Sequence, residues 1–98
     1  MDATAVLERL KTLHREIEID DGKDPVHVTD DVQPLDGLGG FESQLIPNVI
    51  RGLARALGVP LAKGKRLLNP YVDAAGKKLT LRGVAQRFCQ LYGKQGTS

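Results

Sequence analysis

The sequence is poor in the residues that anchor many folds and many catalytic sites. Its 98 residues include one cysteine, no tryptophan, two phenylalanines and two tyrosines. Because Cys89 is alone, the chain cannot form an internal disulfide, and a core with so few aromatic rings must be built mainly from Leu, Val, Ile and Ala. Apolar runs are only a few residues long, whereas a membrane-spanning helix needs about 20 apolar residues. We therefore expect one small domain over residues 1–98 and no membrane segment.

Two further absences concern charge. The first residues carry acids at Asp2 and Glu8 and lack the basic and apolar regions of a secretory signal, so we expect a cytoplasmic location. Acids are almost absent after residue 42, where one acid and ten bases give a net charge of +9, while residues 1–42 hold eleven acids and four bases, a net charge of −7. This asymmetry predicts either two faces that meet different partners or two halves that attract each other within the fold.

Apolar residues recur at helical spacing in three segments of the chain. The first segment, residues 3–19, predicts a helix that Asp2 or Thr4 can cap. The second follows Ser43 and ends at Gly58, as a glycine just past a helix often does. The third, residues 81–92, follows Thr80, which can cap it. These patterns predict an all-α fold with three main amphipathic helices.

The polar residues of the first helix and of the turn after it indicate solvent-exposed positions. We assign Glu18 to the wet side of the helix and His14 to the boundary of its apolar face. Asp20, Asp21 and Asp24 cluster in the turn, but their spacing does not fit the twelve-residue calcium loop, so a solvated turn is expected. His27 has no partner at ligand spacing. We predict no metal site.

The segments between the helices carry turn signals rather than long strands. Residues 26–35 read as a long extended loop, with a short strand as the alternative. A short helical turn is expected near Leu67 and Leu68, a hairpin is an option over residues 71–80, and residues 94–98 should form a frayed tail. The resulting architecture is a small four-helix bundle, with three main helices, a short third one, and a long loop between helices 1 and 2.

The stretch Leu38-Gly39-Gly40-Phe41-Glu42-Ser43 lies where the long loop meets the second helix. It resembles the attachment site of acyl and peptidyl carrier proteins, in which a Gly, an apolar residue, Asp and Ser precede a long helix. The closing helix, introduced by Thr80 and Leu81, is also similar, so that the resemblance covers most of the chain. It implies that Ser43, next to Glu42, carries a covalent phosphopantetheine arm attached by a phosphopantetheinyl transferase. An acyl- or aminoacyl-loading enzyme would then load the arm, and the domain itself would catalyse nothing.

The chain departs from the carrier pattern in its charges. Glu42 replaces the usual Asp, Gln44 replaces an apolar residue, and Arg51 and Arg55 lie on the helix where family members usually present acids. The predicted partner-binding residues are Gln44, Asn48, Arg51 and Arg55. Because two arginines would repel a basic partner, we expect a dedicated loading enzyme with an acidic docking face. We expect the chain to be a monomer.

Three other interpretations are open at this stage. Ser43 could be a plain helix-capping residue, and the chain could be a carrier fold that acts as an unmodified protein-interaction module. The basic second half could instead bind nucleic acid, although the last helix offers only Arg82, Gln86 and Arg87 for base edges and the acidic first half would repel phosphates. We find no Ser-His-Asp arrangement and no catalytic pair of carboxylates, so we predict no enzyme.

Overall fold

The computed structural model describes residues 2–59, 61 and 67–92, and in this part of the chain it contains helices and no strand. The all-α prediction is confirmed. Helices α1 to α4 and two 3₁₀ turns follow in the order α1 Ala3–Asp20, turn Pro25–His27, α2 Pro34–Gly37, turn Ser43–Leu45, α3 Ile46–Leu57 and α4 Leu81–Tyr92. Helix α1 packs against both α3 and α4, so three main helices enclose the core.

The short helix lies at a different place from the one predicted. It is α2, within the long connection from α1 to α3, where Pro34 occupies its first turn. Leu67 and Leu68 are not helical, and residues 62–66 of that predicted turn lie outside the described residues, as do residues 94–98 of the predicted tail. Proline at the start of a helix costs no intrahelical hydrogen bond, which explains why Pro34 begins a helix here.

Helix α1 is capped as the sequence indicates, but its buried face includes polar residues as well as the apolar ones. The Asp2 carboxylate accepts a hydrogen bond from the Thr4 backbone N–H at 3.0 Å. His14 is 0% exposed and Glu18 is 2% exposed, so the assignments of His14 to the boundary and of Glu18 to solvent are wrong. Both residues lie on the helical face that begins at Leu7, at spacings of seven and eleven, and the rest of the chain covers that face.

Helix α3 owes its limits to Pro47 and Gly58. Pro47 lies in the first turn, where its missing N–H costs nothing. Gly58 has φ of +70° and its N–H closes the helix, a left-handed conformation that a side chain would strain. The inner face of the helix is apolar and buried, and consists of Ile46, Val49, Ile50, Leu53 and Ala54.

Helix α4 begins after Thr80, whose side-chain oxygen accepts a hydrogen bond from the Gly83 N–H at 3.2 Å. The predicted cap is therefore confirmed. At the other end the Tyr92 hydroxyl donates to the Leu68 carbonyl at 2.6 Å, which ties the chain before Tyr71 to the helix. The buried residues of α4 are Leu81, Val84, Ala85, Phe88 and Tyr92.

The connections are irregular but are held to the core. In the long connection Val28 is buried, and Val32 and Leu35 pack against the core from partly exposed positions, as predicted. The segment is not extended throughout, because a 3₁₀ turn and α2 form its two ends. Around the turn near Asp73, residues 71–80 form only an isolated antiparallel bridge between Val72 and Lys78. The predicted hairpin is thus reduced to one bridge.

Candidate functional site

Ser43 lies between two buried apolar residues on the surface of the bundle. Phe41 before it and Ile46 after it are buried, whereas Glu42, Ser43 and Gln44 are exposed. Because both ends of this short segment are packed into the core, its three polar residues must face water. The serine is thereby presented to solvent at a fixed place on the fold.

Phe41 is held by a buried cluster of rings that comes from distant parts of the chain. Its ring stacks on Tyr71 with centroids 5.0 Å apart and meets His14 edge-on at 4.5 Å. His14 Nε2 and the Tyr71 hydroxyl are hydrogen-bonded at 2.7 Å. Burial lowers the pKa of His14 to about 4 and raises the pKa of Tyr71 well above its usual value, so both rings are uncharged at neutral pH.

The backbone at Ser43 is already helical. The Leu45 N–H donates to the Glu42 carbonyl at 2.9 Å and the Ile46 N–H donates to the Ser43 carbonyl, so the 3₁₀ turn runs directly into α3. Glu42 occupies the cap position of the turn and Leu45 that of α3, neither with a side-chain capping bond. Ser43 therefore caps neither element, and its side chain lies at the electropositive end of a helical segment.

The predicted partner-binding residues form one stripe along this helical segment. Gln44, Asn48, Arg51 and Arg55 lie at spacings of four, seven and eleven and are all exposed. Within the described residues neither arginine comes within 4.0 Å of a carboxylate oxygen. We call these four residues the α3 stripe. It carries two positive charges without an ion pair in the described residues, two and three turns further along the helical segment from the serine. Gln44 is hydrogen-bonded through its side-chain amide to the Glu42 carboxylate.

Other charges of the two halves are paired with each other. Lys78 Nζ lies 2.7 Å from Asp36 Oδ1, and Arg82 Nη2 lies 3.3 Å from Asp30 Oδ2. The sequence left open whether the halves attract each other or face different partners, and these contacts show attraction at two places. Because Arg82 is engaged by Asp30 and Arg87 is half-buried, α4 does not present a free row of basic side chains.

An open cleft next to the Ser43 segment was not anticipated from the sequence. It has a volume of about 270 Å³ and lies between the end of α1 and the start of the helical segment. We call it the acidic cleft, and its walls are Ile17, Asp20, Asp21, Gly40 and Leu45. The sequence did contain one signal for it. Helix α1 ends in acids and has no base in its last turn, although negative charge is unfavourable at the C-terminal end of a helix dipole.

The remaining candidate residues stand apart from this region. His27 is exposed in its 3₁₀ turn, and Cys89 is half-buried, with burial raising the pKa of its thiol. In the described residues no group of three or more His, Cys, Asp or Glu side chains is arranged to hold a metal ion.

No family model, curated protein or solved structure matches this chain. None of the described helices combines the length and the apolar character needed to cross a bilayer.

Proposed function

We propose that this chain is a carrier protein in which Ser43 bears a phosphopantetheine arm. The observation that supports it most is the exposure of Ser43 between the buried Phe41 and Ile46 at the start of a helical segment. A transferase has access to the hydroxyl without unfolding the domain. The uncapped backbone N–H groups at the start of the segment suit the phosphate that would join serine and arm.

The residues around Ser43 would position the group and its donor. The donor would be a phosphopantetheine joined to a nucleotide by a phosphoanhydride bond. The Ser43 oxygen would form the bond to phosphorus, the phosphoanhydride bond would break with the nucleotide as leaving group, and the hydroxyl proton would pass to the transferase. The arm supplies a thiol that holds an acyl or aminoacyl group as a thioester. Phe41 fixes the segment through its contacts with His14 and Tyr71, and Glu42 places a carboxylate directly before the serine.

The α3 stripe is the proposed docking surface for the loading enzyme. Arg51 and Arg55 are exposed on the same helical segment as Ser43, so that a partner bound to them would have the attachment site within reach. Charge complementarity mainly governs association rate and partner choice. An enzyme with acidic residues around its active-site entrance is therefore the expected partner, whereas a basic docking face would be repelled.

Intact-mass measurement tests the modification. Co-expression with a broad-range phosphopantetheinyl transferase should add the mass of one arm, and Ser43→Ala should abolish this gain. Ser98 is the only other serine in the sequence, so Ser98→Ala is the matched control and should leave the gain intact. An unchanged mass for the wild-type chain, or a gain that survives Ser43→Ala, would overturn the proposal.

Charge reversal tests the docking surface. The double variant Arg51→Glu/Arg55→Glu should slow loading of the modified protein by about tenfold or more at low salt, because electrostatic steering changes association rates by this order. Arg9→Glu/Arg15→Glu makes the same charge change on exposed positions of α1 and should have little effect. Equal slowing by both double variants would show that net charge, rather than the α3 stripe, controls docking.

A further inference from the structure

The acidic cleft is lined by both apolar side chains and carboxylates. Ile17 and Leu45 supply hydrocarbon, and Asp20 and Asp21 supply exposed carboxyl groups. Its volume of about 270 Å³ is just below the roughly 300–1,000 Å³ of pockets that take drug-sized ligands. The cleft therefore suits a small group with a short apolar stem and a polar end, and is too small for a long acyl chain.

The electrostatic field at this cleft is negative from several sources. Asp20 and Asp21 make no ion pair within 4.0 Å in the described residues, and α1 ends here without a base in its last turn. The aligned peptide dipoles of α1 add partial negative charge at this end of the helix. Lys23 is the base closest in sequence, but its side chain lies along Gly39 and neutralises neither aspartate.

Glu18 provides a second and independent observation at the same place. Glu18 is only 2% exposed, and its Oε2 has no hydrogen-bond partner in the described part of the chain. The oxygen is directed at Gly40, which lines the cleft. A Cβ atom added to Gly40 would clash with this oxygen and would lie 3.1 Å from the Asp21 Cβ atom. Glu18 itself does not line the cleft, but its Oε2 is an acceptor without a donor directly behind the Gly40 wall, which is costly for a buried oxygen.

We propose that the acidic cleft binds an alkylammonium group. Resting on the proposed function, we assign that group to an aminoacyl cargo held on Ser43, whose segment begins at the cleft wall: Gly40 lies three residues before the serine and Leu45 two residues after it. Asp20 and Asp21 contact the ammonium group, and Ile17 and Leu45 contact its hydrocarbon. An acyl cargo that ends in a carboxylate would be repelled, and an uncharged acyl group would lack the ionic contact.

Binding of a small amine to the unmodified protein tests the site itself. Titration with butylammonium at low ionic strength should shift the backbone NMR signals of Asp21 and Gly40 saturably, whereas butan-1-ol and butyrate of the same chain length should not. Asp20→Asn or Asp21→Asn should weaken binding by up to about fivefold, the upper range for an exposed ion pair. Asp24→Asn removes one charge from the same acidic stretch outside the cleft and keeps its capping bond to Val26, so it serves as the control.

Each outcome of this titration either supports or overturns ammonium binding in the acidic cleft. Shifts that are absent, that are matched by butanol, or that are reduced equally by Asp24→Asn would overturn the cleft as an ammonium site. This result does not depend on modification of Ser43, because the protein in the titration carries no arm. Failure of the carrier proposal and failure of the site are therefore separate observations.

The cargo assignment is tested on protein loaded at Ser43. An alanyl group should shift the Asp21 and Gly40 signals, and an N-acetylalanyl group, which lacks the ammonium charge, should not. Asp21→Asn should reduce the alanyl-dependent shift. If butylammonium binds but the alanyl group leaves these signals unchanged, the site stands and its assignment to the cargo is wrong.

Discussion

The carboxylate of Glu18 occupies the space in which a side chain at residue 40 would lie. A Cβ atom on Gly40 would clash with Glu18 Oε2, whereas one on Gly39 would be 3.4 Å from the Lys23 Cε atom. Only position 40 therefore requires glycine for steric reasons. The sequence alone does not distinguish the two glycines, because nothing local to residues 39 and 40 reveals a carboxylate that arrives from α1.

We expect Gly40→Ala to destabilise the fold by about 1–3 kcal/mol, the usual cost of overpacking a close contact. Gly39→Ala should cost much less. In a Glu18→Ala background the cost of Gly40→Ala should fall, since the clashing oxygen is gone, and chemical denaturation of the four proteins gives this coupling free energy. Additive costs would show that Glu18 does not restrict residue 40.

His14 gives the fold a dependence on pH through its burial. Its pKa is lowered from 6.5 to about 4, so the unfolded chain binds a proton at a higher pH than the folded chain does. The folded state should lose stability as pH falls from about 6.5 towards 4, by about 2 kcal/mol between pH 7 and pH 5. Above about pH 7.5, where this histidine is neutral in the unfolded chain as well, it should contribute no pH dependence.

Urea unfolding at pH 7 and pH 5 measures this loss. The exposed His27 is the matched control, and His27→Gln should preserve the difference between the two pH values, whereas His14→Gln should remove most of it. If His14→Gln does not fold, the imidazole NMR signals of the wild-type protein give the answer. Titration of His14 near its usual pKa of 6.5 would contradict the burial argument.

At the scale of elements, α3 was the most predictable part of the molecule. Its apolar spacing and Gly58 at its end act through neighbours within a turn or two, so the sequence indicated its buried face and its C-terminal limit. The sequence placed its start after Ser43 without fixing the residue, and α3 begins at Ile46. The exposed α3 stripe followed from the same periodicity. The acidic cleft did not, because its walls come from α1 and from the Ser43 segment, which only the packing of the bundle brings together.

Two isoleucines allow a matched test of the buried face. Ile50 on α3 is 1% exposed and Ile19 on α1 is 58% exposed. We expect Ile50→Ala to lower the free energy of unfolding by about 2–5 kcal/mol through lost burial and a cavity, and Ile19→Ala to change it by about 0.5 kcal/mol or less. Denaturant unfolding measures both, and similar losses would mean that α3 does not pack as described.

At the scale of the whole molecule, Asp30 connects the long loop to two main helices. Its carboxylate lies 2.8 Å from Lys11 Nζ of α1 and 3.3 Å from Arg82 Nη2 of α4, and its carbonyl accepts a hydrogen bond from the Arg82 N–H at 2.9 Å. The hydrogen bond with Lys11, more than any other contact, lowers the pKa of Asp30. This partly exposed network joins an acid of the first half to a base of the second.

We expect Asp30→Asn to lower the melting temperature modestly, and 1 M NaCl to shrink the difference from wild type because salt screens exposed charges. The difference should also shrink in acid, as pH falls through the lowered pKa of Asp30 and its charge is lost. The neighbouring Asp31 approaches Arg82 only at 3.9 Å, so Asp31→Asn is the control. Identical melting temperatures for wild type and Asp30→Asn at low salt would rule out a stabilising role.

The sequence by itself determined the all-α class, the end of α3 at Gly58 and the placement of Ser43 beside a helix start. These features depend on residue spacing and on caps, which act over a few residues. Only the tertiary structure decided that His14 meets Tyr71, that Glu18 is buried against Gly40, and that an acidic cleft opens beside the serine. Such contacts depend on which helix faces cover each other, and a polar residue on an otherwise apolar face is buried when a distant segment packs over it.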